Sequence, residues 1–121
     1  MKLKKVVEFE VDDKIAESIV KLNNKGFETA MCCSGHPDEK EITPYVMFNR
    51  FVSYGIEYIP FGWNADERFK ELVIRRVFTD EEKEIFTKEQ LINIAAKELD
   101  HWVDRLPEFK NPYQIMRTEV I

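Results

Sequence analysis

Reactive side chains are concentrated in one short stretch of the sequence, Cys32-Cys33-Ser34-Gly35-His36. It holds both cysteines of the chain, one of its two histidines and one of its four glycines. A thiol three residues before an imidazole can form a thiolate–imidazolium pair, which lowers the pKa of the thiol and makes the sulfur a nucleophile. Cys33 and His36 are therefore the catalytic candidates.

The stretch also has the residue types of an anion-binding turn. Gly35 permits a positive φ, so the backbone from Ser34 to His36 can present adjacent amide hydrogens to a phosphate or a carboxylate. Ser34 adds a hydroxyl group, and His36 adds a donor that can carry charge near neutral pH. We predict Ser34 and Gly35 as ligand-binding residues and a small anionic molecule as the ligand.

Two further interpretations of the stretch stay open. The Cys33-x-x-His36 spacing suits zinc, but zinc takes three or four protein ligands. The sequence offers only scattered candidates for the others, namely Cys32, Asp38, Glu39 and His101, so no metal site is predicted. Cysteine is also among the most buried residue types, and the stretch can instead be a strand end followed by a structural turn.

The composition limits the classes of protein to which the chain can belong. Its 121 residues are 44% hydrophobic and 34% charged, which is typical of one globular domain covering residues 1–121. The formal net charge of −5 lacks the basic excess typical of phosphate-backbone binders, so nucleic acid is disfavoured as the main partner. No apolar stretch reaches the roughly 20 residues needed to cross a bilayer, so we expect a cytoplasmic protein with free thiols. The residues identify no cofactor.

The first part of the chain predicts a strand, a helix and a second strand. Residues 4–12, KKVVEFEVD, alternate as a strand does, and Asp12 or Asp13 can cap the helix that follows. Apolar residues then recur at helical spacing before a stop at Gly26: Ile15, Ala16, Ile19 and Leu22. Residues 27–33, FETAMCC, form the second strand, and the short links predict a right-handed crossover that makes the two strands parallel.

The next segments predict more strands in the same sheet. Residues 45–51, YVMFNRF, and residues 71–78, ELVIRRVF, have strand character, and residues 113–121 can close the sheet. The connection of about ten residues after Ser34 is long for a hairpin. We predict an α+β fold with a single small mixed β-sheet and helices mainly on one face, in the order β-α-β-β-(β)-α-β. A ferredoxin-like arrangement with an insertion is the nearest named fold.

The clearest helix lies near the C-terminus. Thr79–Glu82 and Thr87–Gln90 both have the capping-box pattern. The second box opens a helix over residues 88–106, which Pro107 ends. Its apolar stripe consists of Leu91, Ala95, Leu99, Trp102 and Leu106.

An aromatic segment covers residues 51–64. It holds Phe51, Tyr54, Tyr58, Phe61 and Trp63. These side chains can cover the sheet, or they can form a lid over the Cys33 turn, and on that basis Trp63 is a ligand-binding candidate. They can also form an interface, which gives the alternative function: a protein–protein interaction or homo-oligomerisation module with no catalytic site.

A family resemblance rests on the same region. The pattern LNNKGFET at residues 22–29, followed by Cys33-Ser34-Gly35-His36 and an apolar strand, resembles short uncharacterised bacterial and phage-type proteins. Over residues 15–48 it is also similar, more distantly, to the tRNA wybutosine-synthesising methyltransferase family, in which a helix and a strand lead into a Ser-Ser-Cys-Ser-Gly-Arg turn.

This second resemblance implies further roles. It makes Thr29 a ligand-binding candidate beside Cys33, Ser34 and Gly35, and it implies transfer of a methyl group from S-adenosylmethionine to a tRNA base. His36 stands where that family has arginine. The methyltransferase activity is therefore a further alternative to the small-ligand site that we predict at the turn.

Overall fold

The computed structural model describes residues 14–49, 52, 56–68 and 71–109, and its elements form an α+β fold, as predicted. In chain order they are α1 (Ala16–Asn24), β1 (Thr29–Cys33), β2 (Tyr45–Phe48), β3 (Trp63–Arg68), β4 (Glu71–Arg76), α2 (Asp80–Ile85) and α3 (Lys88–Arg105). The described strands form one sheet in the order β1-β2-β4-β3, and each neighbouring pair is antiparallel.

Several predicted features lie outside the described residues. They are the N-terminal strand over residues 4–12 with its parallel pairing, the cap at Asp12 or Asp13, the C-terminal strand over residues 113–121 and the side chains of Phe51 and Tyr54. In the part of the chain that is described, no helix is both long and apolar enough to cross a membrane.

The register of the sheet sends Cys32 and Cys33 to opposite faces, as predicted. Cys32 lies opposite Val46 and packs against the hydrophobic core. Cys33 is the last residue of β1 and lies opposite Tyr45 on the other face. Because successive side chains of a strand alternate, only one of the two thiols can share the core-facing surface.

The β1–β2 pair is irregular at one end and has a long connection at the other. The register shifts between Thr29 and Met31, and the Met31 side chain is left 56% exposed. A regular alternation along β1 was expected, and this shift breaks it. Residues 34–44 join β1 to its antiparallel neighbour β2, so the connection, although long for a hairpin, does link two paired antiparallel strands.

The helix α3 supplies much of the core on the inner face of the sheet. Its predicted apolar stripe is buried at every position: Leu91, Ala95, Leu99, Trp102 and the capping residue Leu106. The Trp102 ring meets Phe48 of β2 edge to face, with ring centroids 6.5 Å apart. This helix is therefore held firmly enough to form one wall of a site at the adjacent loop.

Both predicted capping boxes are present. The Thr79 hydroxyl accepts from the Glu82 amide at 3.1 Å, and the Thr87 hydroxyl accepts from the Gln90 amide at 3.2 Å. In return, the side chains of Glu82 and Gln90 each accept from the amide of the capping threonine at 2.8 Å. Each box satisfies two amide groups that a helix start otherwise leaves unpaired, so it fixes where the helix begins.

Arg76 of β4 links α2 and α3 to the inner face of the sheet through ion pairs. Its side chain is 8% exposed and donates to Glu82 at 2.7 Å and to Glu98 at 2.9 Å. Its guanidinium carbon also lies 4.7 Å from the centroid of the Phe78 ring. The hydrogen bond from Arg76, together with that from the Thr79 amide, holds the pKa of Glu82 below its ordinary value.

Candidate functional site

The site is built on a tight turn from His36 to Glu39. The Glu39 amide donates to the His36 carbonyl at 3.0 Å, and the Glu39 carboxylate accepts from the His36 amide at 3.0 Å. Pro37 occupies the second position of this turn, where its fixed φ is favoured. Lys88, the first residue of α3, donates to the Glu39 carbonyl and so ties the turn to the helix.

Cys33 and His36 come together as their spacing suggested. The Cys33 Sγ and the His36 Nε2 are 3.7 Å apart, within hydrogen-bonding distance for sulfur. The Gly35 amide also donates to the same sulfur at 3.4 Å. Donors directed at a sulfur favour the thiolate, so this environment suits either a nucleophile or a metal ligand. The catalytic role of the pair stays a prediction.

The expected concavity of backbone amides does not form. The Gly35 amide donates to the Cys33 sulfur, and the His36 amide donates to the Glu39 carboxylate. Both of these donors bond within the turn, so the structure does not present them to an anion, and anion binding by the turn stays a prediction. An anionic ligand at this turn has to be held by side chains.

Gly35 is required by its conformation and by its neighbours. Its φ is +91°, a conformation that side-chain-bearing residues rarely adopt. A Cβ atom added there would lie 2.8 Å from Ile42 Cγ2 and 3.5 Å from Ile92 Cγ1. A side chain at residue 35 would therefore clash with Ile42 of the same connection, whereas its distance from Ile92 of α3 is that of an ordinary contact.

A pocket of about 320 Å³ opens between this turn and α3. Three of the predicted residues line it, Ser34, Gly35 and His36, of which His36 is exposed. The remaining lining residues are Lys14, Pro37, Glu89, Ile92 and Asn93. The pocket thus combines an apolar wall with a lysine, an imidazole, a carboxylate and an amide.

A third side chain joins Cys33 and His36 on the turn. One ligating atom each from Cys33, His36 and Glu39 lies within 4.8 Å of the other two. The sequence offered Glu39 only as one of several scattered acidic residues. The turn selects it, because the reciprocal hydrogen bonds between residues 36 and 39 draw its carboxylate toward the imidazole.

Two other candidates lie away from the turn. Thr29 is at the opposite end of β1 from Cys33, about 13 Å along a strand, and its hydroxyl accepts from the Asn23 side chain at 3.0 Å. Trp63 starts β3, at the opposite edge of the sheet from β1, and its indole donates to Glu98 at 3.2 Å. The structure does not bring either side chain to the pocket, and a lid that includes Trp63 is wrong.

Sequence reasoning missed the residues that α1 and α3 contribute to the pocket. Lys14 lies just before α1, and Glu89, Ile92 and Asn93 lie in the first two turns of α3. The capping box at Thr87 is the only sequence pattern near these residues. It predicts where α3 starts, but it does not predict that the Cys33–Glu39 loop lies beside that start. Their proximity depends on how the loop packs, which no local pattern specifies.

A second pocket, of about 380 Å³, shares Lys14 with the first and includes Asp100 and Asp104, which belong to an ion-pair network. Lys21 of α1 donates to Asp100 at 3.1 Å and to Asp104 at 2.9 Å, both on α3. These hydrogen bonds raise the pKa of Lys21 and lower the pKa of Asp104. His101 also lines this pocket and is exposed beside Arg105. Three of its lining residues, Ser18, Asp100 and Asp104, take part in the hydrogen bonds that hold α1 against α3.

Comparisons of the chain with protein-family models, with curated proteins and with solved structures gave no match. Function is therefore inferred from the geometry of the turn and of the pocket beside it.

Proposed function

We propose that this protein binds a small polar molecule with an anionic group in the pocket beside Ser34, Gly35 and His36. The observation that carries the proposal is the pocket itself. It joins the predicted turn to Lys14 and to the first turns of α3 in a volume of about 320 Å³. That volume is at the lower end for small-molecule sites, which points to a metabolite-sized ligand.

The charges of the lining narrow the ligand class. Lys14 and His36 are the basic side chains of the lining and suit an anionic group, whereas the Gly35 and His36 amides bond within the turn. Glu89 lines the same pocket and repels a bare anion, but it accepts a hydrogen bond from an ammonium or a hydroxyl group. We therefore expect a small acid that also carries donors, such as an amino acid, a hydroxy acid or a nucleoside monophosphate.

The apolar part of the lining sets the orientation. Ile92 and Pro37 line the pocket between its polar groups. A ligand with an uncharged carbon skeleton gains from contact with them, whereas inorganic phosphate gains nothing there. Inorganic phosphate is therefore the control ligand, because it has the negative charge of these small acids but no carbon skeleton.

The test is a titration of tag-free, isotopically labelled protein with these three classes of acid and with phosphate, followed by amide NMR. We expect saturable shifts at Ser34, His36 and Asn93 from at least one class, and weaker ones from phosphate. Lys14→Ala and His36→Ala each remove a hydrogen-bond donor for the anionic group, so binding should weaken about tenfold.

Matched controls come from the second pocket. Lys97→Ala and His101→Ala remove the same residue types from α3 and should leave the affinity unchanged. Shifts confined to the second pocket, or an affinity that His36→Ala leaves intact, would overturn the proposal.

A second candidate function is self-association through the aromatic segment. Phe61 is 96% exposed and Tyr58 is 49% exposed, which is unusual for large apolar side chains. A second copy of the chain could cover them. Sedimentation velocity over a range of protein concentrations should then give a dimer that Phe61→Ser weakens, and a monomer at every concentration would exclude it.

A further inference from the structure

We infer that Cys33, His36 and Glu39 form a zinc-binding site on the turn. The inference does not depend on the small-molecule ligand, because it rests on the convergence of these three side chains alone. Spacing alone supplied only two ligands, Cys33 and His36, and the fold supplies the third.

The distances agree with those of zinc ligands. With a Zn–S bond of about 2.3 Å, a Zn–N bond of about 2.05 Å and a tetrahedral angle, the two ligand atoms lie about 3.6 Å apart. Cys33 Sγ and His36 Nε2 are 3.7 Å apart. The Glu39 oxygen lies within 4.8 Å of both, so a small adjustment of an exposed side chain completes the set.

The turn prepares the ligands for a metal. The Gly35 amide donates to the Cys33 sulfur, which stabilises the thiolate form that binds metal. One Glu39 oxygen accepts from the His36 amide, which orients the carboxylate and leaves its other oxygen for coordination. Lys88 holds the Glu39 backbone from α3. The ligands therefore lie on a segment that is tied at both ends.

The ligand types favour zinc over the hard divalent cations. A thiolate and an imidazole suit zinc, whereas magnesium and calcium prefer oxygen ligands. On binding, the Cys33 thiol gives its proton to solvent and the imidazole binds as the neutral form. Three protein ligands leave a fourth position open, as in zinc sites that bind water or a substrate.

The experiment uses tag-free protein that has been treated with a chelator and then titrated with Zn²⁺ or Co²⁺. Native mass spectrometry and elemental analysis should give one metal per chain. The Co²⁺ form should have a thiolate-to-cobalt charge-transfer band. Cys33→Ser, His36→Gln and Glu39→Gln should each weaken binding about tenfold or more.

The chain supplies a matched control for each ligand. Cys32→Ser, His101→Gln and Glu41→Gln should retain one metal per chain with unchanged affinity, and Cys32→Ser should keep the charge-transfer band. Circular dichroism and thermal melting establish that each variant is folded, and Glu39→Gln preserves the hydrogen bond to the His36 amide.

Two outcomes would overturn the inference. One is wild-type protein that takes up no stoichiometric zinc, and the other is a charge-transfer band that persists in Cys33→Ser. Either result leaves the small-molecule proposal standing, because that proposal is measured by the amide shifts of the metal-free protein.

Discussion

At the scale of single residues, Gly35 is the position on which the turn most depends. Valine there would have to adopt a φ of +91° and place its Cβ 2.8 Å from Ile42. We expect Gly35→Val to lower the free energy of unfolding by about 3 kcal/mol, from backbone strain and overpacking together. Denaturant unfolding measures this loss, and the same variant should lose both zinc and small-molecule binding.

A second glycine provides a control that separates the effect of backbone strain on stability from the effect of disrupting the binding site. Gly62, which directly precedes the edge strand β3, also has a positive φ, and a Cβ there would lie 3.0 Å from the Arg76 side chain of β4. Gly62→Val should be destabilised but should keep its binding. Unchanged stability and binding in Gly35→Val would show that the turn does not need the conformation seen.

The two cysteines should differ in reactivity. Cys33 is close to the His36 imidazole and accepts from the Gly35 amide, whereas Cys32 packs against the core. In metal-free protein we expect iodoacetamide to alkylate Cys33 about tenfold faster or more, because the thiolate fraction is larger there.

Peptide mass spectrometry over time measures the two rates. His36→Ala should slow the alkylation of Cys33 and leave that of Cys32 unaltered. Equal rates for the two thiols would contradict an activated Cys33.

At the scale of elements, the cap of α3 matters more than the cap of α2. Thr87 starts a helix that carries six buried residues, while the helix that Thr79 starts has none. Thr87→Ala should lower the free energy of unfolding by about 1 kcal/mol, the usual effect of losing a threonine cap. We expect a smaller effect from Thr79→Ala, which serves as the comparison in the same denaturant experiment. The reverse order would contradict the assigned packing.

The ion pair between Arg76 and Glu82 should make stability depend on pH. The hydrogen bond from Arg76 lowers the pKa of Glu82 in the folded chain below the unfolded value of about 4.3. The stabilisation is therefore complete above that value and is lost as the pH falls through the lower folded pKa.

The substitution Glu82→Gln removes the stabilisation that the ion pair between Arg76 and Glu82 provides. We expect it to lower the free energy of unfolding by about 1 kcal/mol at neutral pH and to flatten the decline of stability in acid. Denaturant unfolding at a series of pH values measures both effects, with Glu84→Gln on the exposed part of α2 as the control. An unchanged pH profile in Glu82→Gln would show that this pair does not link protonation to folding.

Local patterns predicted most of the elements but not the strand β3 (Trp63–Arg68), whose aromatic and charged residues show no clear strand alternation. The capping boxes and the stripe from Leu91 to Leu106 were predictable because caps and helical periodicity depend on neighbours a few residues away. The shift between Thr29 and Met31 was not, because a bulge depends on the partner strand.

At the scale of the whole molecule, the candidate site was predictable only in part. Cys33 and His36 were found because they are close in sequence and chemically distinctive. Lys14, Glu89 and Asn93 reach the pocket through the packing of the loop against the helices, and their types are common on any surface. The hydrogen bond from the Gly35 amide to the Cys33 sulfur was also not predictable, because it depends on the three-dimensional shape of the turn.

His36 connects the two proposals, since it lines the pocket and belongs to the three-residue cluster with Cys33 and Glu39. His101 is the other histidine of the chain and lines the second pocket instead. A comparison of the two histidines therefore tests whether the turn is the functional site of the molecule.

The most direct measurement is native mass spectrometry of freshly purified, tag-free wild-type protein, His36→Ala and His101→Ala. We predict a mass above that of the bare chain, from zinc, a small molecule or both, which His101→Ala retains and His36→Ala loses. A bare chain mass for the wild type, or the same excess mass in both variants, would contradict a binding site at the Cys33–Glu39 turn.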